Sequence, residues 1–233
     1  MEFFTTIQEA FEKTFIRQNR YMFFVDGLKN TLKIALLATL IGILLGILIA
    51  VIKVLHKQTG GKLKILNAIA EIYTTVIRGT PIVVQLLIFY NIIFRTSQNA
   101  VMIGVLTFGV NSGAYVAEII RAGIMAVDIG QTEAGRSLGL NQFQTMLYIV
   151  LPQALKNVLP ALGNEFIAVL KETSVIGYVG VVDLTRAAER VMSSTAEVYF
   201  PYISIALVYL AMVYGLSALL HKMERRLARS DRS

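Results

Sequence analysis

The sequence predicts an all-α integral membrane protein with five transmembrane helices, an N-terminal interfacial helix and a short cytoplasmic helix between two spans. Of its 233 residues, 55% are hydrophobic and only 16% are charged, and the mean hydropathy is +0.63. The apolar residues form uncharged runs close to the ~20 residues that a helix needs to cross a bilayer. The chain has no cysteine and only two separated histidines, His56 and His221. This composition excludes disulfides and thiolate metal sites, and we predict no metal site.

Five spans follow one another along the chain. The first has no charge from Ile34 to Ile52. The second is harder to place, because the uncharged run between Arg78 and Arg95 has 16 residues, about 24 Å of helix at 1.5 Å per residue. It is either short, or it begins earlier and carries Arg78 inside. The other three spans are residues 96–117, which continue through Glu118 and Arg121 to about Val127, then residues 148–170 and residues 202–220.

The N-terminal segment is predicted to lie against the membrane surface rather than across it. Phe4, Ile7, Phe11 and Phe15 recur at spacings of three or four residues, which places them on one face of a helix. The expected organisation is an amphipathic segment over residues 1–25, a single transmembrane domain over residues 26–222 and a basic cytoplasmic tail over residues 223–233.

Basic residues beside the apolar runs predict the topology. One group follows the first run and another forms the C-terminal tail: Lys53, Lys57, Lys62 and Lys64, then Lys222, Arg225, Arg226, Arg229 and Arg232. Five spans put both groups on one side, which the positive-inside rule makes cytoplasmic. The N-terminus is then outside and the C-terminus inside, although cations near the N-terminus oppose this orientation. Membrane topology also explains the net charge of +7, so no nucleic-acid partner is predicted.

A polar segment separates the third and fourth apolar runs. It has the spacing EA-x4-G-x9-I-x-LP and consists of Glu133-Ala134-Gly135-Arg136-Ser137-Leu138-Gly139, followed by Ile149 and Leu151-Pro152. Asp128, Gln131 or Thr132 could begin a short helix here. Gly139 and Asn141 supply a stop. The segment is therefore expected to form a compact helix that stands outside the membrane.

This spacing resembles the EAA loop of the permease subunits of ABC importers, the cytoplasmic element that docks onto the ATP-hydrolysing subunit. Further blocks are similar to the permeases of the polar amino-acid importers in that superfamily, the histidine, glutamine and arginine type. These blocks are Arg78-Gly79-Thr80-Pro81 with Gln85, Ser112-Gly113-Ala114-Tyr115 with Ala117-Glu118 and Arg121, Leu151-Pro152-Gln153-Ala154, and Lys171-Glu172-Thr173-Ser174. The resemblance covers close to half of the chain, from about Arg78 to Gly180.

The resemblance implies a type I ABC importer permease in the bacterial cytoplasmic (inner) membrane, moving a polar amino acid by alternating access. The implied partners are two ATP-binding cassette subunits, a second permease subunit, for which an identical copy is expected, and an external substrate-binding protein. The residues expected to couple to the ATPase are Glu133, Ala134, Gly135, Ser137, Leu138 and Gly139. Gly135 departs from the family's usual alanine, so a softer helix is expected there.

ATP chemistry is not expected in this chain. The sequence has no G-x-x-x-x-G-K-[ST] phosphate loop, and Gly60-Gly61-Lys62 lacks both the spacing and the following hydroxyl residue. We therefore predict that the chain is not an enzyme, that it carries no cofactor, and that ATP and Mg bind the partner subunit.

Ionisable residues inside the spans are the candidates for substrate binding, because a charge near the bilayer centre costs at least about 2.5–3.5 kcal/mol. Glu165 and Asn164 are predicted to hold a positive group of the substrate. Arg78, or the backbone at Gly79 and Thr80, is predicted to hold its carboxylate, and Tyr115 and Ser112 are weaker candidates. An acidic site favours arginine, lysine or histidine; glutamine or another polar amino acid is the alternative.

Other readings of the same residues remain open at this point. Arg78 and Glu165 could neutralise each other, and Glu118 with Arg121, three residues apart, could form an intrahelical bridge. The long loop over residues 171–199 contains a helix-compatible stretch, residues 183–192, that could be an external gate or a surface helix. An ion channel or a secondary transporter is the alternative from another class, but the sequence specifies no selectivity ring and no inverted repeat.

Overall fold

The computed structural model describes residues 2–229, with side chains described for residues 6–227. All regular elements among these residues are helical, so the predicted fold class is confirmed. The α-helices are α1 (Glu2–Phe11), α2 (Tyr21–Gln58), α3 (Lys64–Arg78), α4 (Ile82–Ile88), α5 (Ala100–Met125), α6 (Ile129–Ser137), α7 (Gln142–Thr145), α8 (Leu151–Glu172), α9 (Leu184–Thr195) and α10 (Tyr199–Arg229). Two 3-10 helices, Arg17–Asn19 and Thr173–Val179, and three π turns join some of them.

Four helical segments in this part of the chain are long and apolar enough to cross a membrane: Tyr21–Gln58, Ala100–Met125, Gln142–Val179 and Tyr199–Leu227. A fifth candidate consists of α3 together with Ile82–Ile93, two helices separated by a bend. Because the bend falls at Gly79–Pro81, this pair is either one broken span or a re-entrant loop. If the pair is one span, the second predicted span begins earlier than its uncharged run and carries Arg78 at the end of α3, beside the bend.

The first span is longer than its uncharged run at both ends. α2 begins at Tyr21, so Lys29 and Lys33 lie within the helix, and Lys29 Nζ pairs with Asp26 Oδ1 at 3.2 Å. At the other end, α2 includes Lys53, which was expected in a basic loop. Its side chain is only 5% exposed, because polar partners from other helices surround the ammonium group.

The N-terminal segment is helical, as expected, and is also packed against the protein. α1 continues into a π turn, Glu12–Ile16, and the chain then changes direction at Gln18 and Asn19, which have φ of 58° and 54°. The Phe15 ring lies 5.0 Å from the ring of Phe11 and 5.4 Å from the ring of Phe24. The side chain of Phe4 lies outside the described residues, and contact of this segment with the bilayer stays a prediction, as do the boundaries of the three predicted regions.

The helices pack into two compact units, each assembled from three stretches of the chain. The first unit contains the chain up to residue 38, residues 81–108 and residues 167–216. The second contains residues 39–80, residues 109–166 and the chain from residue 217. In the first unit, Leu184, Ala188 and Ile205 form a buried apolar core, packed by Phe24, Leu28, Val208, Tyr209 and Met212.

The helix expected in the long loop belongs to this first unit. It forms as α9, and Leu184, Ala188 and Val191 on one of its faces are buried. Asp183 caps its N-terminus by accepting hydrogen bonds from the backbone N–H groups of Thr185 and Arg186, at 2.9 and 3.0 Å. Burial raises the pKa of the Asp183 carboxyl, while those hydrogen bonds oppose the shift. α9 thus packs on the unit through one face, while Arg186, Arg190 and Ser193 on its other side are exposed; whether it acts as an external gate or only as a surface helix stays a prediction.

We expect Asp183→Ala to destabilise the first unit. Losing an N-cap costs about 1–2 kcal/mol. The Asp183 side chain is fully buried, so the backbone N–H groups of Thr185 and Arg186 would lose their acceptor inside the protein. The measurement is the thermal midpoint of the purified protein in detergent, which should fall by several degrees. Asp183→Asn keeps a side-chain acceptor and should retain most of the stability; an alanine variant that melts with the wild type would contradict the capping role.

The second half of α5, from residue 109, belongs to the second unit. Its contact with α2 is close because glycine stands where the helices meet: a Cβ added at Gly46 would lie 2.4 Å from Val116 Cγ1, and one at Gly42 would lie 2.7 Å from Ser112 Oγ. On another side, Tyr73 donates its hydroxyl to the Val110 carbonyl at 2.6 Å. These contacts hold the polar residues of α5 at fixed positions relative to α2 and α3.

Candidate functional site

The polar segment after α5 forms the predicted short helix, α6, in the second unit. Of the three candidate starting residues, Asp128 is the N-cap, and its Oδ1 accepts a hydrogen bond from the Gly130 N–H at 2.7 Å. The helix ends at Ser137, and Gly139 follows with φ of +83°, a left-handed conformation that favours glycine. Glu133 lies near the middle of the helix rather than at its N-terminal end.

One face of α6 and its C-terminal end are exposed. Glu133, Ala134 and Ser137 are exposed, and Leu138 is 80% exposed. Ile129, the first residue of the helix, is 75% exposed. Both apolar side chains lie outside the candidate membrane spans. Exposed apolar side chains grouped with polar ones are typical of a protein docking surface.

Gly135 lies on the opposite, buried face of α6. A Cβ at this position would lie 2.8 Å from both Ile149 Cδ1 and Thr145 Cγ2. Thr145 is buried and its hydroxyl is bonded to the Asn141 carbonyl at 3.0 Å, so its side chain has little freedom to move away. Glycine at 135 therefore permits close packing of α6 on residues 145–149, which explains the departure from the family's usual alanine.

A second group of predicted residues meets between α5 and α8. Ser112 Oγ donates a hydrogen bond to Glu165 Oε1 at 2.8 Å. The Glu165 side chain is half-buried, and no ion pair within the described residues involves it. Asn164 is exposed; as the preceding residue on the helix it points about 100° away from Glu165. The structure thus brings Ser112 and Glu165 together, while Asn164 lies on a different side of α8.

Glu118 is surrounded by cations. The predicted bridge to Arg121 is present, with Arg121 Nη2 at 2.8 Å from Oε2. Lys53 Nζ lies closer still, at 2.7 Å from Oε1, and it also reaches Glu71 at 3.4 Å and Thr74 at 3.0 Å. Lys53 was not among the predicted site residues. The sequence carries only one signal for it, a lysine directly after an uncharged run, and topology explains that signal equally well.

Arg78 belongs to the edge of the same cluster. Its Nη1 lies 4.0 Å from Glu118 Oε2, and its guanidinium carbon lies 5.3 Å from the centroid of the Tyr115 ring. The side chain is 44% exposed. Thr80 Oγ1 donates back to the Val76 carbonyl at 2.9 Å. Within the described residues Arg78 pairs with Glu118 and not with Glu165, so mutual neutralisation of Arg78 and Glu165 is not observed.

These features are those of an integral membrane protein with ionisable groups inside its helices and an exposed polar helix outside them. Residues 42–229 match the family of binding-protein-dependent transport system inner membrane components. The chain belongs to this family.

Curated relatives and solved structures agree with that assignment. A glutamine transport system permease protein of Escherichia coli strain K12 is 38% identical over 168 residues, 70% of this chain and 76% of that protein. A relative in Rickettsia bellii with a similar name is 38% identical over 211 residues, 89% of this chain and 94% of that protein.

Among solved structures, that of an amino acid ABC transporter with histidines has 46% identity and a TM-score of 0.83, and the match covers 91% of this chain and 98% of that one. The inward-facing methionine ABC transporter has a TM-score of 0.74 at 18% identity, over 91% of this chain and 99% of that one, which shows the fold alone. The predicted family, the amino-acid permeases of type I ABC importers, is confirmed.

Proposed function

We propose that this chain forms the translocation path of an ATP-driven importer for a cationic amino acid, with Glu165 binding the positive group of arginine, lysine or histidine. The observation that carries this proposal is a contrast between two carboxylates in the spans. Glu118 has three cations around it, at 2.7, 2.8 and 4.0 Å. Glu165 has a serine hydroxyl at 2.8 Å and no cation among the described residues.

An ionised acidic side chain that has no neighbouring cation carries a high free-energy cost inside a span, and such residues mark substrate or ion pathways. Ser112 contacts only one oxygen, Oε1, so it orients the carboxylate without neutralising it. An arriving ammonium or guanidinium group supplies the missing charge, and charge-assisted hydrogen bonds are the strong ones. Glu118 offers no such opportunity, because its own cations already satisfy it.

Arg78 and the backbone at Gly79 and Thr80 are proposed to bind the substrate carboxylate. Arg78 lies at the limit of ion-pair distance from Glu118, and its guanidinium is partly exposed. It is therefore held loosely enough to accept a second anion. The Tyr115 ring, with its centroid 5.3 Å from the guanidinium carbon, contributes a cation–π contact. Asn164 is the proposed residue with the weakest support, since it points away from Glu165.

Glutamine is the second candidate substrate, and the names of the Escherichia coli and Rickettsia bellii relatives favour it. A glutamine side chain presents amide N–H groups, and a carboxylate accepts hydrogen bonds from these as well as from a cation. Glu165 would then contribute a hydrogen bond rather than an ion pair. The two candidates differ in how strongly they depend on the charge of Glu165.

Uptake by Glu165→Gln separates the two candidates. Glutamine at 165 keeps the shape and a hydrogen bond with Ser112 but removes the charge. A hydrogen bond to a charged group contributes about 1.5–3 kcal/mol, so we expect KM for arginine or lysine to rise about tenfold or more, with glutamine uptake little changed. The measurement is uptake of radiolabelled arginine, lysine, histidine, glutamine and glutamate by the reconstituted importer, wild type and variant.

Glu189→Gln, an exposed change on α9, is the matched control and should leave the profile unaltered. Wild-type uptake that prefers glutamine to arginine and lysine, and that changes little in Glu165→Gln, would favour the glutamine candidate, because glutamine at 165 can still accept a hydrogen bond from the substrate amide. Wild-type uptake that prefers arginine or lysine, with an unchanged profile for Glu165→Gln, would remove this residue from the site.

We further propose that α6 couples the permease to ATP hydrolysis. Two ATP-binding cassette subunits, a second and identical permease copy and an external substrate-binding protein complete the complex, in a bacterial inner membrane with the N-terminus outside and the C-terminus inside. The exposed face of α6 supports the docking role, with Glu133, Ala134, Ser137 and Leu138 directed away from the rest of the unit. Closure of the ATPase subunits would push on this short helix, and its packing through Gly135 would pass the displacement to residues 145–149.

A further inference from the structure

A cavity of about 660 Å³ lies within the second unit, away from Glu165. It opens between the last turns of α2, the last turns of α5, α6 and the segment that precedes α8. Its charged lining residues are Lys53, Lys57 and Arg121, and most of the remaining wall is apolar, including Val54, Ile124 and Met146. None of the described residues that line it carries a carboxylate. Basic groups on an otherwise apolar wall suit an anion that also carries a hydrocarbon part.

The charges near the cavity do not balance. Lys53 and Arg121 pair with the carboxylates of Glu71 and Glu118, and Lys57 forms no ion pair with any described residue. The three cations that line the cavity therefore face two carboxylates, which leaves one positive charge. A ligand with one negative charge would complete the balance.

The position of the cavity indicates the source of that ligand. Lys53 and Lys57 come directly after the uncharged run of α2, and Arg121 comes four residues after the uncharged run that α5 contains. Residues at such positions lie near the headgroup level of a bilayer. Basic pockets between transmembrane helices at this level bind anionic lipid headgroups.

We propose that the cavity binds an anionic phospholipid, with the phosphate at Lys57 and Arg121 and part of an acyl chain along Val54, Ile124 and Met146. The apolar wall is what favours a lipid over a free anion, because inorganic phosphate would leave that wall unfilled. Ile129 and Thr132 of α6 also line the cavity, so the bound lipid touches the same helix that presents the exposed docking face. Binding does not depend on which amino acid is carried.

The test is lipid retention by the complete importer, purified in detergent with its ATPase subunits. Phosphatidylglycerol or phosphatidylcholine is added back, and bound lipid is measured by native mass spectrometry. We expect the wild type to retain phosphatidylglycerol preferentially. A basic residue near anionic lipid contributes about 1 kcal/mol, so Lys57→Ala should weaken phosphatidylglycerol binding about fivefold. Lys62→Ala removes an exposed cation outside the cavity and should leave binding unchanged.

A second variant tests the apolar part of the site without altering charge. Val54→Phe narrows the cavity and should also reduce retention of phosphatidylglycerol, and millimolar inorganic phosphate should not displace the lipid. Equal retention of phosphatidylglycerol and phosphatidylcholine, equal effects of Lys57→Ala and Lys62→Ala, or displacement by inorganic phosphate would each overturn the proposal. None of these readouts requires transport, so they stand apart from the outcome for Glu165.

Discussion

Lys53→Met should leave little folded permease in the membrane. The Lys53 ammonium is 5% exposed and contacts Glu118, whose side chain is 19% exposed. Removing one member of a buried ion pair typically costs about 3–5 kcal/mol, because the other charge stays buried without its partner. Arg121 still contacts Glu118, so we expect a loss at the lower end of this range. A loss of about 3 kcal/mol is a large part of the 5–15 kcal/mol that typically stabilises a protein.

The measurement is the yield and thermal midpoint of detergent-purified variants. Lys57→Met is the matched control, since it lies one helical turn further along α2 and has an exposed side chain; its midpoint should change little. In the double variant Lys53→Met with Glu118→Gln, the buried negative charge of Glu118 is removed as well, so part of the lost stability should return. A double variant with the summed loss of both single changes, or a Lys53→Met protein that melts with the wild type, would refute the role of this pair.

Leu138→Glu should separate the permease from its ATPase and stop ATP-driven uptake. Leu138 is 80% exposed at the end of α6, so the change should cost this chain little stability. Burying a leucine side chain in a partner contributes about 1.5–3 kcal/mol, and a glutamate in its place adds the cost of a buried charge. We therefore expect the ATPase subunits to be lost on purification, with uptake falling to background.

The controls separate loss of docking from loss of folding. Leu138→Met keeps an apolar side chain of similar size and should retain the ATPase subunits. Gln98→Glu adds one negative charge to an exposed loop of the first unit and should leave the complex intact. If Leu138→Glu co-purified with the ATPase and supported normal uptake, α6 would not be the coupling element.

Features with a local cause were predictable from the sequence. The start of α6 depends on Asp128 and its end on Gly139, and both act on backbone groups within a few residues of themselves. The bridge from Glu118 to Arg121 follows from their spacing on one helix. The spans follow from composition, although their ends do not, because α2 continues through charged residues at both of its ends.

Features that depend on contacts distant in sequence were missed or misread. Lys53 was expected in a loop, because the residues that bind its ammonium group inside the protein are distant in sequence. They are Thr74 and Glu71 of α3 and Glu118 of α5. Gly135 was expected only to soften the helix. The residues it packs against, Thr145 and Ile149, belong to the following segment, so the local sequence carries no sign of this packing. In both cases the explanation lies in a neighbour that no local pattern identifies.

The closeness of α2 and α5 has a consequence for the carboxylate of Glu165. Gly42 stands against Ser112, and the space where a methyl group would lie at Gly42 is only 2.7 Å from the serine hydroxyl oxygen. That hydroxyl is the same one that holds Glu165. Glycine at position 42 of α2 therefore fixes where the Ser112 side chain can lie, and Ser112 in turn orients the Glu165 carboxylate.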